Sequence, residues 1–296
     1  MAKSNAAVQE APVRTKKKSA LSEFWRMFKK RKISVIGLII VGILVFCAIF
    51  AEFVAPYDYA AQDLRQRFTY PCWEHPLGTD NFGRDLLSRI IYGGRVSLLV
   101  ALASICTAVL VGGTFGSTAG YFGGLYESIV MRCMDAIMAV PSLLYAVAIS
   151  ASLGTGIYST TIAIAFGFVP SFTRVARAAV LTVREQEYIE AAKAIGASSK
   201  RIITKHIIPN ALAPCIVHAT VSLVNSILTI STLSFIGLGV QPPTPEWGSI
   251  LANGREYIRE FWPLATFPGV AIMICLISFN MVGDGVRDAL DPRLKQ

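Results

Sequence analysis

Charge is scarce in this chain. Asp, Glu, Lys and Arg make up 16% of its 296 residues against 53% that are hydrophobic, and mean hydropathy is +0.53. Soluble domains carry about a quarter charged residues, so the shortage excludes one and points to an integral membrane protein. The size suits one polytopic membrane domain and leaves no room for a separate soluble catalytic domain. Enzymatic signatures are missing as well: there is no HExxH, no GxSxG and no pair of intramembrane aspartates. Gly112, Gly116 and Gly120 form a GxxxGxxxG row, but the Lys-Ser/Thr that would complete a phosphate loop is absent. The six cysteines are scattered without a CxxC, and only Cys72 falls in an external loop, so neither an external disulfide nor a metal site is expected. Ionisable groups deep in the spans, which pumps and secondary carriers use to bind ions or relay protons, are few. Asp135 sits near the cytoplasmic end of a span, His218 reads as a packing or hydrogen-bonding residue, and His75 and His206 lie in loops.

What the chain does have is apolar runs. Six of them, 33–54, 96–121, 129–153 (with Pro141 near its centre), 157–179, 212–240 and 263–282, are each long enough to cross a bilayer. The first follows too long a positive region, is too long itself and lacks an A-x-A site, so it reads as a retained anchor and not a cleaved signal peptide. The fold class expected is an all-α membrane protein of six transmembrane helices. Residues 1–32 divide into a polar tail, 1–18, read as disordered, and a surface helix in which Leu21, Phe24, Trp25 and Phe28 share one face. Residues 33–95 form the first span and an external loop, and 96–296 a five-helix core with a cytoplasmic loop at 184–210. In the external loop Asp80 or Asn81 is expected to cap a short helix carrying Leu86, Leu87, Ile90 and Ile91 that ends at Gly93-Gly94. That loop reads as structured but without chemistry, and 241–262 as a second external loop. The glycine row removes side chains from one helix face so that a neighbour can approach closely.

The net charge of +9 would suggest nucleic acid were it not for its distribution. Ten of the 28 Lys and Arg precede the first span, and with the N-terminus inside, 21 fall on the cytoplasmic side and seven outside, including every Lys inside. This asymmetry places both termini and the 184–210 loop in the cytoplasm, and no nucleic-acid partner is expected.

That loop contains EYIEAAKAIGASSKRIITKHIIPN, polar and basic between two apolar runs. Residues 187–195 read as a helix on which Ala191, Ala192 and Ala194 leave a low-relief surface, and Gly196 as a left-handed terminator. Ser198 or Ser199 then caps a second helix, 200–208, with Ile202, Ile203, Ile207 and Ile208 as its apolar side, until Pro209 stops it. A small-residue helix followed by a sharp turn fits a groove on another protein; an ordinary connector is the alternative. Farther on, Ser222, Asn225, Ser226, Thr229 and Thr232 recur at helical spacing, with Asn280 in the last span. They either line a water-filled route for a polar solute or hold helices together by hydrogen bonds.

Glu190, Ala191, Ala192, Gly196 and Pro209 resemble the EAA signature of ABC importer permeases. Gly78-Thr79-Asp80 with Gly83-Arg84-Asp85, LSFIGLGVQPPTPEWG (Leu233 to Gly248) and GDGVRDALDP (Gly283 to Pro292) extend the resemblance to the dipeptide and oligopeptide branch, C-type subunit. The resemblance implies a type I ABC importer permease fold in the bacterial cytoplasmic (inner) membrane. It implies a heterodimer with a homologous second permease, two ATPase subunits that hold ATP and magnesium, no cofactor in this chain, and an extracytoplasmic solute-binding protein. It also implies ATPase docking through Glu190, with Gly196 as the bend, and a peptide solute. Nickel and glutathione systems share these motifs, and a haem-like solute is a further alternative. A self-contained channel or secondary carrier, using the loop merely as a connector, is the reading from a different class.

Overall fold

A computed structural model describes residues 20–290; the tail expected at 1–18 lies outside them. The described chain is helical in this order: α1 (Ala20–Lys30), α2 (Lys32–Ile49), α3 (Ala51–Val54), α4 (Leu86–Phe122), α5 (Gly124–Met138), α6 (Ser142–Leu153), α7 (Ile157–Arg184), α8 (Glu187–Ala194), α9 (Ser199–Ile202), α10 (Ile208–Phe235), α11 (Trp247–Glu256) and α12 (Pro263–Leu290).

The arrangement is organised by α4 and α7. Ser104 Oγ donates to Thr161 O at 3.1 Å. Farther along, a Cβ on Gly112 would stand 2.6 Å from Val169 O, one on Gly116 would strike Thr173 O, and one on Gly120 would stand 3.1 Å from Arg177 O. Residue numbers climb together on both helices, so the glycine row packs α4 and α7 in parallel, at backbone distance, as its spacing suggested. Two parallel helices require the chain to recross the membrane between them, and that crossing falls to α5 and α6.

Here the expectation of one straight third span is corrected. The pair is bent by 86° at its break, where Pro141 is the N-cap of α6. Legs of 15 and 12 residues are about 22 and 18 Å long, too short singly for a hydrocarbon layer of roughly 30 Å. Set diagonally, the two legs of a near-right angle reach about 29 Å, enough to cross. Five long helices and this broken one make six crossings. The ends agree: Arg31, at the start of α2, meets Asp288 (2.7 Å) and Asp284 (3.4 Å) near the end of α12, so the first entry and last exit share a face. α10 runs against α4, with Ser226 Oγ 3.5 Å from Ala101 O, and α12 against α2, where Gly37 faces Met281 and Ser34 faces Gly285.

Several boundaries moved. α4 begins at Leu86, and its cap is Asp85, which accepts from Ser88 N at 2.7 Å, not Asp80 or Asn81. Gly93 and Gly94 do not end a helix; they lie inside α4 and make room for the Trp247 indole. The second external loop holds α11, with Trp247 and Ile250 buried. Pro209 does not stop the second helix of the 184–210 loop: a π-turn at Ile203–Ile207 joins α9 to α10, whose first turn takes the proline because no N–H is needed there. α1 exposes Trp25, Arg26, Lys29 and Lys30 but buries Phe28 against Gly285 of α12, so it is docked on the bundle as well as amphipathic.

Candidate functional site

The turn between α7 and α10 lies on the face where α4 and α7 both end. Its bend is built by backbone hydrogen bonds: Gly196, at φ +79°, donates to Lys193 O (3.0 Å) and Ala197 N to Ala192 O (3.1 Å), the paired closure of a helix whose next residue is left-handed. Of the two candidate serines, Ser198 is the cap, accepting from Arg201 N at 3.4 Å. Ile189 and Ala192 turn inward against Val180, Ile202, Ile207 and Ala211. Ala192 is therefore a packing residue, a correction to the three-alanine surface. The presented surface is Glu190, Ala191, Lys193 and Ala194, all exposed, followed by Ile195 at 85% exposure. Ile195 was missed because the expected helix, 187–195, kept it inside, whereas α8 ends at Ala194 and leaves Ile195 as its C-cap. Pro209 is exposed at the base of α10.

The turn is fastened to the spans. Arg184 Nη1 donates to Gly120 O (3.0 Å) and Tyr121 O (3.1 Å), carbonyls orphaned at the end of α4. Lys193 Nζ lies 5.9 Å from the Tyr121 ring centre. Arg177 pairs with Glu127, and Arg174 with Asp135 at 2.6 Å, both half exposed.

The small polar stripe divides. Ser222 and Ser226 are buried inside the subunit, Ser226 towards the α4 backbone. Asn225 and Asn280 are exposed and Thr229 half-buried, its hydroxyl donating to Asn225 O at 2.8 Å. Ser226 is accounted for by hydrogen bonding within the bundle and Ser222 by burial, and only the second set faces outward. His218 is a hydrogen-bonding residue, 3.1 Å from Ser171 Oγ and edge-on to Phe172.

At the opposite face, residues 55–85 fold into a cap on α4. Asp80 accepts from Arg84 Nε at 2.6 Å and faces Arg89 Nε at 3.5 Å, all three buried. The His75 ring spans Asp85 Oδ1 (2.9 Å) and Gln66 Oε1 (2.7 Å). Phe68 and Tyr70 pack on Phe261, and the Tyr70 hydroxyl donates to Glu260 O at 3.2 Å. The GTD and GRD residues are thus consumed in holding the cap together.

Six crossings with a glycine-bent turn on one face and a folded cap on the other define a multi-pass membrane protein. Residues 112–296 match the family described as binding-protein-dependent transport system inner membrane component, and residues 19–71 match the N-terminal TM domain of oligopeptide transport permease C. The chain belongs to this family of inner-membrane transport components. It is 45% identical over 94% of its length to the di/tripeptide transport system permease protein DppC of Pseudomonas aeruginosa, covering 93% of that protein. Its identity to the dipeptide permeases DppC of Alkalihalophilus pseudofirmus and Escherichia coli K12 is 44%, over 92% and 93% of this chain and 90% and 94% of theirs. Its fold is that of the type I ABC importer permease: the inward-facing MetNI methionine ABC transporter superposes with a TM-score of 0.57 over 70% of this chain and 98% of that one, at 18% identity.

Proposed function

We propose that this chain is one of two transmembrane subunits of an ATP-driven importer of di- and oligopeptides. It pairs with a homologous second permease, receives solute from an extracytoplasmic binding protein at the capped face, and docks two ATPase subunits, which hold ATP and magnesium, at the cytoplasmic turn. The observation that carries this is the turn itself: a bend closed at Gly196, presenting Glu190, Ala191, Ala194 and Ile195 to solvent. Glu190 is the charged contact, Ile195 the apolar anchor, and Ala192 and Pro209 seat the two docking helices on the bundle. Closure of the ATPases draws these turns together and the spans rock to open outward. Asn225, Thr229 and Asn280 line the route, which runs between the two permeases; Ser222 and Ser226 support α10 from behind. The 33–95 segment and the 96–296 core act as cap-bearing anchor and moving unit.

The relatives named for dipeptides and di/tripeptides support a peptide solute. The test is uptake by the reconstituted complex across di- and oligopeptides, nickel, glutathione and haem. Peptide uptake that needs ATP and co-purifying ATPases is expected. Transport by the purified chain alone would overturn the importer reading, and uptake of nickel, glutathione or haem in place of peptide would overturn the solute.

A further inference from the structure

Two of the helices that join the two faces lack a proline, and α4 is twice as long as the other, the 18-residue α2. α7, α10 and α12 carry internal prolines, Pro170, Pro214 and Pro268, and the α5–α6 crossing is broken. α4 runs for 37 residues without a proline, about 55 Å at the usual helical rise. Its inner end is held to the docking turn by Arg184 and Tyr121.

Its outer end is held by α11. Glu246 is fully buried. Its carboxylate accepts from Gly248 N and Ser249 N, both at 2.9 Å, at the start of α11. It also accepts from Ser97 Oγ of α4 at 3.0 Å. Ser97 Oγ in turn lies 3.4 Å from Trp247 N, which donates to it, and the Trp247 indole N–H donates to Ile90 O at 2.8 Å. The indole lies where a Cβ on Gly94 would come within 2.8 Å of it. On its other sides α11 is pressed against α10, where Gly248 meets Ser231, and α12, where a Cβ on Gly254 would stand 2.6 Å from Ala265 N. A carboxylate taken wholly out of water is retained only where donors replace its hydration, and here one donor comes from the spanning helix itself.

We propose that Glu246 is a positioning residue for transport: it locks α11 onto the outer end of α4, so that α4 carries movement of the docking turn to the outer face. The lock rests on the reading of that turn as the ATPase contact. Coupling is reciprocal, so an event at the outer face reaches the ATPases by the same helix.

The test uses the complete complex in nanodiscs, measuring ATP hydrolysis with and without peptide-loaded binding protein. Ser97→Ala and Glu246→Gln are expected to keep complex yield and basal hydrolysis while the stimulation falls about fivefold or more. The double variant is expected to be no worse than Glu246→Gln, because both changes cut one link. Full stimulation in both variants would overturn the proposal, as would basal and stimulated rates falling in proportion, the mark of a merely structural role. If Glu246→Gln fails to assemble, Ser97→Ala decides, since it keeps the carboxylate and leaves Gly248 N and Ser249 N paired with it, losing besides the lock only the long bond from Trp247 N. A wild-type complex that binds no ATPase would instead overturn the docking reading, so the two failures are distinguishable.

Discussion

Gly196 shows how a single backbone position can be tested apart from packing. A Cβ there would meet nothing within 4 Å, yet φ is +79°, so Gly196→Leu adds no clash at Cβ and costs about 1–2 kcal/mol through the left-handed conformation. The expected outcome is normal membrane insertion with uptake abolished, read by membrane fractionation beside peptide uptake; normal uptake would count against the bend. Glu190 is exposed, so Glu190→Lys should leave the chain's own stability unchanged and reduce ATPase recovered by affinity purification. The bend at Gly196 was legible because its signal is local, whereas Glu190 was singled out only by the resemblance to the EAA signature. Ala192 and Ile195 were not legible: which alanine turns inward depends on Val180 and Ile207. Glu246 fell inside what reads as an external loop, because its burial is set by Ser97 and the Gly93-Gly94 pair, far away in sequence.

Among elements, the glycine row was readable because close approach needs only a four-residue repeat of residues without side chains. The outcome separates sharply by position. Gly116→Ala drives a Cβ into Thr173 O, a backbone atom that cannot turn aside, whereas Gly113→Ala, one residue off the row and so on a different side of the helix, enters open space. The first should destabilise by about 1–3 kcal/mol, and the second should be neutral or stabilise by up to about 1 kcal/mol through helix propensity. Thermal unfolding in detergent compares them, and equal shifts would show that α4 and α7 do not touch along this row. The break at Pro141 was not readable, since hydropathy sees an unbroken apolar run and a proline within it kinks by an amount that packing decides. The π-turn was hidden similarly: Pro209 signals a helix stop only if no helix starts around it.

For the whole molecule, the sequence supplied the number of crossings but not the reason the third must count. That reason is the parallel pairing of α4 with α7, which forces α5 and α6 to carry the chain back across. Were the bent pair instead a re-entrant loop, the 154–156 connection would emerge on the same face as Gly123. Single-cysteine labelling in a cysteine-free background distinguishes the two. Thr155 is exposed between α6 and α7, and Ser199 is exposed at the start of α9. With six crossings, Thr155→Cys reacts with an impermeant maleimide from outside intact cells and Ser199→Cys only after the membrane is opened. Protection of both until opening would mean that the bent pair turns back. The basic residues could still face the cytoplasm, but α7 would no longer have a route to its parallel place beside α4, and the packing of the glycine row would fall with it.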